Sequence, residues 1–403
     1  MAASTGIVAP ELFGLPIEFL LFGLVLIGVA FLHKHATAVA LTGLVAITAY
    51  KLVFAAFPAG PGLAGLAAHV AQEWVILANL TLLLVGFGLL SDHFEQSNVP
   101  EAMPRLLPDH WTGGLALLGM VFVLSAFLDN IAAAVVGGVV AKHVYRGKVS
   151  VGYLAALVAA ANAGGAGSVI GDTTTTMMWI SGVSPLAVAP AFIGSIAAFT
   201  IFGTLGALQQ QRYAPIVEHM GPEVRIDWIR GLIVLILLAA IVATNAIGNA
   251  NFPELEHTVP ALGLALWAAL ILTAPLRRPN WSAIPSAAKG AAFLVALVAC
   301  ASLMPVERLP PATWHTTLGL GLLSAVFDNI PLTALAIEQG GYDWGLLAYA
   351  VGFGGSMLWF GSSAGVALTT SFPEGRSAAA WLRQGWFIIP AYLFGFLVMM
   401  AVS

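Results

Sequence analysis

The sequence predicts an all-α polytopic membrane protein with about ten transmembrane helices and two re-entrant helical hairpins, arranged as two inverted-topology repeats that each contain a broken helix. Three observations predict this class: the composition, the alternation of apolar runs with short polar loops, and a motif that occurs once in each half. Of the residues, 59% are hydrophobic and 8% are charged, and the mean hydropathy is +0.93. Because such a chain cannot cover itself with a polar surface, its main solvent is lipid.

The composition also argues against several other classes of protein. The 403 residues are taken up by apolar runs and short loops, so no separate soluble domain fits. The net charge of −4 is spread thinly, without the basic clusters that are typical of nucleic-acid binding. The single cysteine, Cys300, excludes an intramolecular disulfide and a cysteine-based metal cage. We therefore predict membrane lipid as the environment, with no cofactor and no nucleic-acid partner.

Apolar runs divide the chain into two halves of similar order. The first half, residues 1–208, has single spans at 15–32, 36–57, 74–90 and 189–208 and compound runs at 111–141 and 149–180. The second half, residues 231–403, has single spans at 231–247, 260–276, 283–304 and 381–402 and compound runs at 314–338 and 344–370. Residues 209–230 form the only long polar stretch, and we predict that they are a cytoplasmic linker between the halves.

Basic residues orient this array, because short loops rich in Lys and Arg stay on the cytoplasmic side. Most loops satisfy this rule only if residues 111–141 and 314–338 each enter and leave the membrane on one side. We therefore predict two re-entrant hairpins, periplasmic termini and halves of opposite orientation, as in transporters that alternate access around a midplane site. Residues 149–180 and 344–370 are predicted to be broken helices.

A repeated motif supports the two halves independently of hydropathy. In the predicted hairpins, Ser125–Ile131 (SAFLDNI) is matched by Ser324–Ile330 (SAVFDNI). Downstream, Asn162–Thr173 (NAGGAGSVIGDT) is matched by Gly352–Ser363 (GFGGSMLWFGSS), and the paired glycines align without gaps. Glycine pairs of this kind interrupt a spanning helix and free backbone groups, which is tolerated in a membrane only around a cavity.

The motif places carboxylates where they need a partner. Asp129 and Asp328 lie midway along apolar runs, where an ionised side chain costs at least a few kcal/mol. Carboxylate, amide, hydroxyl and carbonyl oxygens suit a hard cation such as sodium. A structural bond to a nearby amide or hydroxyl is the alternative for either Asp alone, but two copies favour an ion site. The hydroxyls of Thr175 and Thr176 are equally suited to binding the preceding helical turn.

These segments resemble the ion transporter superfamily, and within it the NhaD-type sodium/proton antiporters. The resemblance is carried by Leu128–Ile131 (LDNI), Asn162–Gly165 (NAGG), Gly171–Thr175 (GDTTT) and Met177–Ile180 (MMWI). It implies two re-entrant hairpins, two unwound helices and an elevator-like motion, in a homodimer of the bacterial inner membrane. It also implies a transporter rather than an enzyme, with Na⁺ as the transported or coupling ion.

The resemblance further implies two sets of site residues, one in each half. The first set is Asp129, Asn130, Asn162, Gly165, Ser168, Asp172 and Thr173. The second set is Asp328, Asn329, Gly355, Ser362 and Ser363. Within these sets we predict one sodium site at Asp129, Asn130 and Asp172 and a second at Asp328, Asn329 and Ser362.

Sodium/proton exchange is the leading hypothesis for the function. Asp129 and Asp172, close together in a desolvated site, resist both being ionised, so a proton can compete there with sodium. The alternative is a sodium- or proton-coupled carrier of citrate or a related carboxylate or oxyanion, because the same superfamily contains such carriers. An anion is able to bind at helix N-termini, but Asp129 and Asp328 place negative charge where it would lie.

Overall fold

The computed structural model describes residues 10–12, 14–32, 35–102, 107–216, 225–251 and 258–402. Within these ranges the strands are limited to two antiparallel pairs, β1 (Glu11–Leu12) with β2 (Leu15–Pro16) and β3 (Ala56–Phe57) with β4 (Gly60–Pro61). The helices of the first half are α1 (Ile17–Phe31), α2 (Ala36–Phe54), α3 (Gly62–Glu95), α4 (Val99–Ala102), α5 (His110–Ser125), α6 (Asn130–Val144), α7 (Val151–Gly165), α8 (Thr173–Ile180), α9 (Pro185–Val188) and α10 (Ala191–Tyr213). Those of the second half are α11 (Trp228–Asn251), α12 (Ala261–Thr273), α13 (Ile284–Ser302), α14 (Trp314–Ser324), α15 (Asn329–Gln339), α16 (Trp344–Gly354), α17 (Ser363–Ser371), α18 (Ala378–Gln384) and α19 (Ile388–Val402). Short 3-10 helices occur at Trp281–Ala283, Val306–Arg308 and Pro373–Arg376.

The helices are those of a polytopic membrane protein. In the described part of the chain, five helical stretches are long and apolar enough to cross a membrane, and a sixth counts if α18 and α19 form one bent span. The five are Ala36–Phe54, Gly62–Glu95, Pro185–Tyr213, Trp228–Asn245 and Trp281–Ser302. Lipid favours such an architecture because helices satisfy their backbone groups internally. Phe31, Leu186 and Leu272 are 81%, 83% and 78% exposed, as expected of side chains that face lipid.

The number of about ten spans and the inverted orientation of the halves stay predictions. Several of the predicted spans are shorter helices in the structure, among them α1 and α12. Residues 1–9 and 403, to which the predicted periplasmic location of the termini refers, lie outside the described residues. Residues 217–224 of the predicted linker also lie outside them, and the helices on either side are α10, which ends at Tyr213, and α11, which begins at Trp228.

Two predicted spans differ from the helices in the structure. The span predicted at 74–90 is part of the 34-residue helix α3, which continues beyond the predicted span at both ends. His69, before the predicted span, bonds to Ser302, and Asn79, within it, accepts a hydrogen bond from the backbone of Gly263. The span predicted at 381–402 is divided, because α18 and α19 are bent by 62°. Gly385 lies at this bend.

Two central helices position the polar site. All residues of α7 are buried, as are those of α16 from Gly345 to Gly354, and the two helices pack against each other. After α7 the chain is non-helical until α8 begins at Thr173, and after α16 it is non-helical until α17 begins at Ser363. Both interruptions therefore lie at the buried centre of the molecule.

The two halves interlock around this centre. The hairpin helix α6 packs against α17 of the other half, α15 packs against α8, and α10 packs against α19. Helices α1 to α3 and α11 to α13 form a second group, which touches the first mainly where α13 meets α15. The hairpins and broken helices of both halves thus surround one common region.

Candidate functional site

Paired glycines bring each broken helix against its hairpin. A Cβ atom at Gly164 would overlap the backbone carbonyl of Phe122, and one at Gly354 would overlap that of Gly321. Phe122 and Gly321 are corresponding residues, each three positions before the serine that begins the repeated motif. The glycines therefore permit a close approach of backbones, in addition to the interruption of the helix that the sequence predicts.

The serine of each motif fastens the hairpin to the broken helix. The hydroxyl of Ser125 donates to the carbonyl of Ala161 at 2.5 Å, and that of Ser324 donates to the carbonyl of Val351 at 2.8 Å. All four residues occupy corresponding positions in the two halves, and both serines are fully buried. The hairpin tips are held beside the helix interruptions by the same bond in each half.

Four helix N-termini meet at these tips, and three of them carry a carboxylate. Asp129, Asp172 and Asp328 are the N-cap residues of α6, α8 and α15, and Ser362 has this position on α17. Their side chains accept from the backbone N–H groups of Ile131 at 3.2 Å, Thr174 at 3.2 Å, Ile330 at 3.1 Å and Gly365 at 3.4 Å, respectively. Each carboxylate thus lies at the positive end of a helix dipole.

Within each half, a hydroxyl joins the broken helix to the carboxylate of the hairpin. Ser363, the first residue of α17, donates to Asp328 at 2.9 Å. Thr173, the first residue of α8, donates to Asp129 at 3.5 Å, which is the outer limit for a hydrogen bond. The structure therefore brings Asp129 beside Thr173 and Asp328 beside Ser363.

Asn162 joins the two predicted sets of residues into one network. Its side-chain oxygen accepts from Asn130 at 3.1 Å. Its amide nitrogen lies 3.0 Å from the hydroxyl of Ser356 and 3.0 Å from that of Ser362, both in the other half. Asn162 is fully buried. The predicted second site therefore bonds directly to a residue of the first.

The remaining predicted residues shape the non-helical segments. A Cβ atom at Gly165 would lie 2.6 Å from the carbonyl oxygen of Gly171, and one at Gly355 would lie 2.7 Å from that of Gly361. Ser168 accepts from the backbone of Ile170 at 3.4 Å. These residues bind or adjoin the backbone of the non-helical segments, and a Cβ atom at Gly165 would also lie 3.2 Å from the Cβ atom of Asp172.

Thr175 and Thr176 bind backbone carbonyls, as the structural alternative predicted. Both hydroxyls, in the first turn of α8, donate to the carbonyl of Asp172 at 2.9 Å. Thr175 also donates to Ser168 at 2.6 Å and Thr176 to Val169 at 2.8 Å. They thus satisfy carbonyl groups that the interruption of the helix leaves without a helical partner.

Among the described residues, no basic side chain forms an ion pair with the carboxylates of the site. In the described ranges, the ion pairs join Asp227 to Arg230 and Arg277, and Glu11 to Arg308, and none of them involves the site. Asp172 is 2% exposed, and within the same ranges its Oδ2 atom has no hydrogen-bond donor. Because unbalanced buried charge is costly, the site is suited to a proton or a metal cation.

A cavity of about 240 Å³ reaches the second hairpin. It lies between α1 and α13 on one side and α15 and α17 on the other, and its lining includes Asp328 and Ser363. Val366 lines both this cavity and a second one of about 470 Å³, whose wall includes His35 and Arg376. The two cavities together therefore extend from Asp328 toward the loop of Arg376. This loop is predicted to be cytoplasmic.

Sequence reasoning missed two residues of this region. Ser356 binds Asn162, and its only signal is a hydroxyl directly after the second glycine pair. Trp381 stands at the beginning of a predicted span, a position typical of interfacial tryptophans, yet it is fully buried and its indole N–H donates to the carbonyl of Ser356 at 3.2 Å. The bend between α18 and α19 accompanies this inward position, and hydropathy does not reveal it.

The fold and the site define a polytopic helical membrane protein with a polar, anionic centre, the class to which ion transporters belong. No protein-family model matches the sequence. The chain is similar to sodium/proton antiporter 1 of Arabidopsis thaliana, with 28% identity over 323 residues, or 70% of this chain and 52% of that protein. It is also similar to the Na⁺/H⁺ antiporters NhaD of Vibrio parahaemolyticus and Vibrio cholerae, each at 28% identity over 62% of this chain.

These similarities confirm the resemblance to NhaD-type sodium/proton antiporters. The matches cover 71% of the Vibrio parahaemolyticus protein and 61% of the Vibrio cholerae protein, so the chain spans between half and three quarters of these relatives. The relatives are named as transporters and not as enzymes.

Proposed function

We propose that this protein is a secondary transporter that exchanges sodium for protons across a membrane. The observation that carries the proposal is the unbalanced negative charge of Asp129, Asp172 and Asp328 at the buried centre. The names of the relatives, all of them sodium/proton antiporters, support the same function.

Competition between sodium and protons for the carboxylates accounts for the exchange. With its carboxylates ionised, the site attracts a cation and offers it carboxylate, amide and hydroxyl oxygens. With a proton bound, the charge is neutralised and the affinity for the cation falls. Because Asp129, Asp172 and Asp328 cap helices that meet in the same region, a charge on one carboxylate would disfavour a charge on the others, so the occupation of one would influence the others. A higher proton concentration on one side of the membrane is then able to displace sodium from the site on that side.

An elevator-like motion would carry this site between the two sides. The proposal is supported by the division into two groups, with the site inside the hairpins and broken helices and with α1 to α3 and α11 to α13 beside them. The first group would move along the second and expose the carboxylates alternately. A homodimer in a bacterial inner membrane follows from the family resemblance and belongs to the same proposal.

Carriage of citrate or a related anion is the less favoured function. An anion would bind at helix N-termini, but three of the four N-termini here are already capped by a carboxylate. Like charges at such short range and low dielectric repel strongly. The relatives reported above are named as antiporters of sodium and protons.

Proton movement in proteoliposomes tests the proposed function. Vesicles that contain the purified protein and a pH-sensitive dye are given a pH gradient, and sodium, lithium, potassium and citrate are added in turn. We expect sodium or lithium alone to move protons, and the variant Asp129→Asn to lose this response because the neutral amide no longer attracts the cation.

The matched control is Asp343→Asn, which makes the same chemical change at another helix N-terminus. Asp343 caps α16 by accepting from Leu346 at 2.9 Å and lies on the exposed surface. This variant should keep full activity, because Asn is also a good N-cap residue. A response to citrate but not to sodium would contradict the proposal, as would full sodium-dependent activity of Asp129→Asn.

A further inference from the structure

The positions of the two halves of the site can be paired along the repeated motif, and one of the pairs with different residues bears on ion binding. Asn162 on α7 corresponds to Gly352 on α16. Asn162 meets Ser356 and Ser362 of the second half. By the same correspondence, Gly352 should meet Ala166 and Asp172 of the first half.

The structure has this second set of contacts. A Cβ atom at Gly352 would lie 3.2 Å from the Cβ atom of Ala166 and 3.3 Å from Oδ2 of Asp172. Where the first half places the amide of Asn162 against the cap of α17, the second half has a glycine, without a side chain, at the corresponding position beside the cap of α8. The Oδ2 atom of Asp172 therefore points toward the position that a side chain of residue 352 would fill.

Three buried polar atoms of Asp172, the start of α8 and the second hairpin lack a hydrogen-bond partner within the described ranges. They are Oδ2 of Asp172, the hydroxyl of Thr174 and the amide nitrogen of Asn329. In the first half the corresponding amide, that of Asn130, donates to Asn162. Asn329 has no such acceptor because residue 352 is a glycine. The polar groups are thus satisfied around Asn162 and unsatisfied around Gly352.

We infer that the transported cation binds between the two halves, on Oδ2 of Asp172 and over Gly352, and that Gly352 determines which cation fits. Calcium, whose radius is close to that of sodium, binds oxygen ligands at about 2.3–2.6 Å. A cation on Oδ2 at such a distance would compete for space with a side chain at residue 352, whose Cβ atom would be 3.3 Å away. This inference rests on the proposed function and replaces two separate sodium sites by one shared site.

Asn329 is suited to respond to the occupation of this site. Its amide nitrogen is a donor for an ionised carboxylate, and a rotation of the amide presents its oxygen to a cation or to a protonated carboxyl group. Asn329 begins α15, which packs against α8, the helix that Asp172 caps. Asn329 is therefore the amide that the second hairpin would contribute to this inferred site.

The variant Gly352→Ala tests the inference, with Gly345→Ala as its matched control. Both glycines lie on α16, and a Cβ atom at Gly345 would meet Pro190 at 3.0 Å and Ala187 at 3.2 Å, which is equally tight. The two variants thus have similar packing costs, but only one approaches a carboxylate. The measurement is the rise in melting temperature of the purified protein in detergent as sodium or lithium chloride is added, with choline chloride as the ionic-strength control.

We expect Gly352→Ala to raise the half-maximal sodium concentration by about tenfold or more, and to raise that of the smaller lithium ion by less. Gly345→Ala should leave both concentrations unchanged. A purely structural effect would lower the melting temperature without changing the ratio of the two concentrations. Equal sodium dependence in the two variants, or no response to sodium in the wild-type protein, would overturn the inference.

A second variant guards against a failure to fold. Ala166→Gly combined with Gly352→Ala removes the tight carbon contact at 3.2 Å and keeps the methyl group beside Asp172. It should show the same weakened sodium dependence.

Sodium binding without proton movement in vesicles would contradict the proposed exchange and not the shared site. Proton exchange in the wild type together with an unchanged sodium dependence in Gly352→Ala would contradict the shared site and not the exchange.

Discussion

Among single residues, Asn162 has the most connections in the site. Its side-chain oxygen accepts from Asn130 of the same half, and its nitrogen lies within hydrogen-bond distance of Ser356 and Ser362 of the other half, so its buried hydrogen bonds link both halves. In a low-dielectric region a satisfied network of this kind is rigid, and the loss of one member leaves several groups without partners.

We expect Asn162→Ala to lower the free energy of unfolding by about 2–4 kcal/mol, because the amide of Asn130 and two serine hydroxyls lose a partner at once. Reversible denaturation in detergent measures this change. Asn280→Ala is a suitable control, since Asn280 is partly buried and donates one hydrogen bond, to Asp92 at 3.1 Å. An effect of Asn162→Ala no larger than that of the control would show that the network adds little to stability.

The sequence indicates individual candidate residues more readily than it indicates the contacts between them. Asp129 and Asp328 can be singled out in the sequence because a charged residue in an apolar run needs a polar partner, an ion or a cavity. The contact of Asn162 with Ser362 is not recognisable, because it joins residues 200 positions apart and depends on how the halves pack. The difference between Asn162 and the corresponding Gly352 can be interpreted only once the structure shows that Asp172 lies beside residue 352.

Among the helical elements, the hairpins and broken helices form one repeated unit. In each half, a serine at the end of the first hairpin helix bonds to the broken helix, and a glycine pair allows the two backbones to touch. These contacts therefore hold the carboxylate at the hairpin tip, Asp129 or Asp328, beside the non-helical segment of the broken helix.

The variants Ser125→Ala and Ser324→Ala should each lower the free energy of unfolding by about 0.5–1.5 kcal/mol, since each removes one buried hydrogen bond. Equal effects are expected because the two serines make the same bond in the two halves. The control is Ser195→Ala, which deletes a buried hydroxyl with no partner among the described residues. A loss of stability in Ser195→Ala as large as in the other two would contradict this explanation.

The ends of the elements were harder to predict than their order. Hydropathy indicates a run that lipid tolerates, but α3 continues past its run, where the buried polar residue His69 has a partner, Ser302, on a neighbouring helix. The bend between α18 and α19 likewise depends on Trp381, whose partner is a backbone carbonyl of a distant segment. Such partners are properties of the packed structure.

For the whole molecule, the arrangement of loops agrees with the predicted orientation. Asp227, before α11, bonds to Arg277 at 2.7 Å, so two segments that are both predicted to be cytoplasmic lie together. At the other side Glu11 bonds to Arg308 at 3.0 Å, and both belong to segments predicted to lie outside. The inverted orientation itself stays a prediction.

The central claim is that sodium and protons compete for the same buried carboxylates. Proton release into a weakly buffered detergent solution, recorded with a pH dye while sodium chloride is added to the purified protein, tests this claim most directly. We expect sodium to release protons from the wild-type protein and from Asp343→Asn, and to release fewer from Asp172→Asn, because one exchangeable carboxyl group is lost. Sodium binding that releases no protons at any pH from about 6 to 9 would contradict the claim.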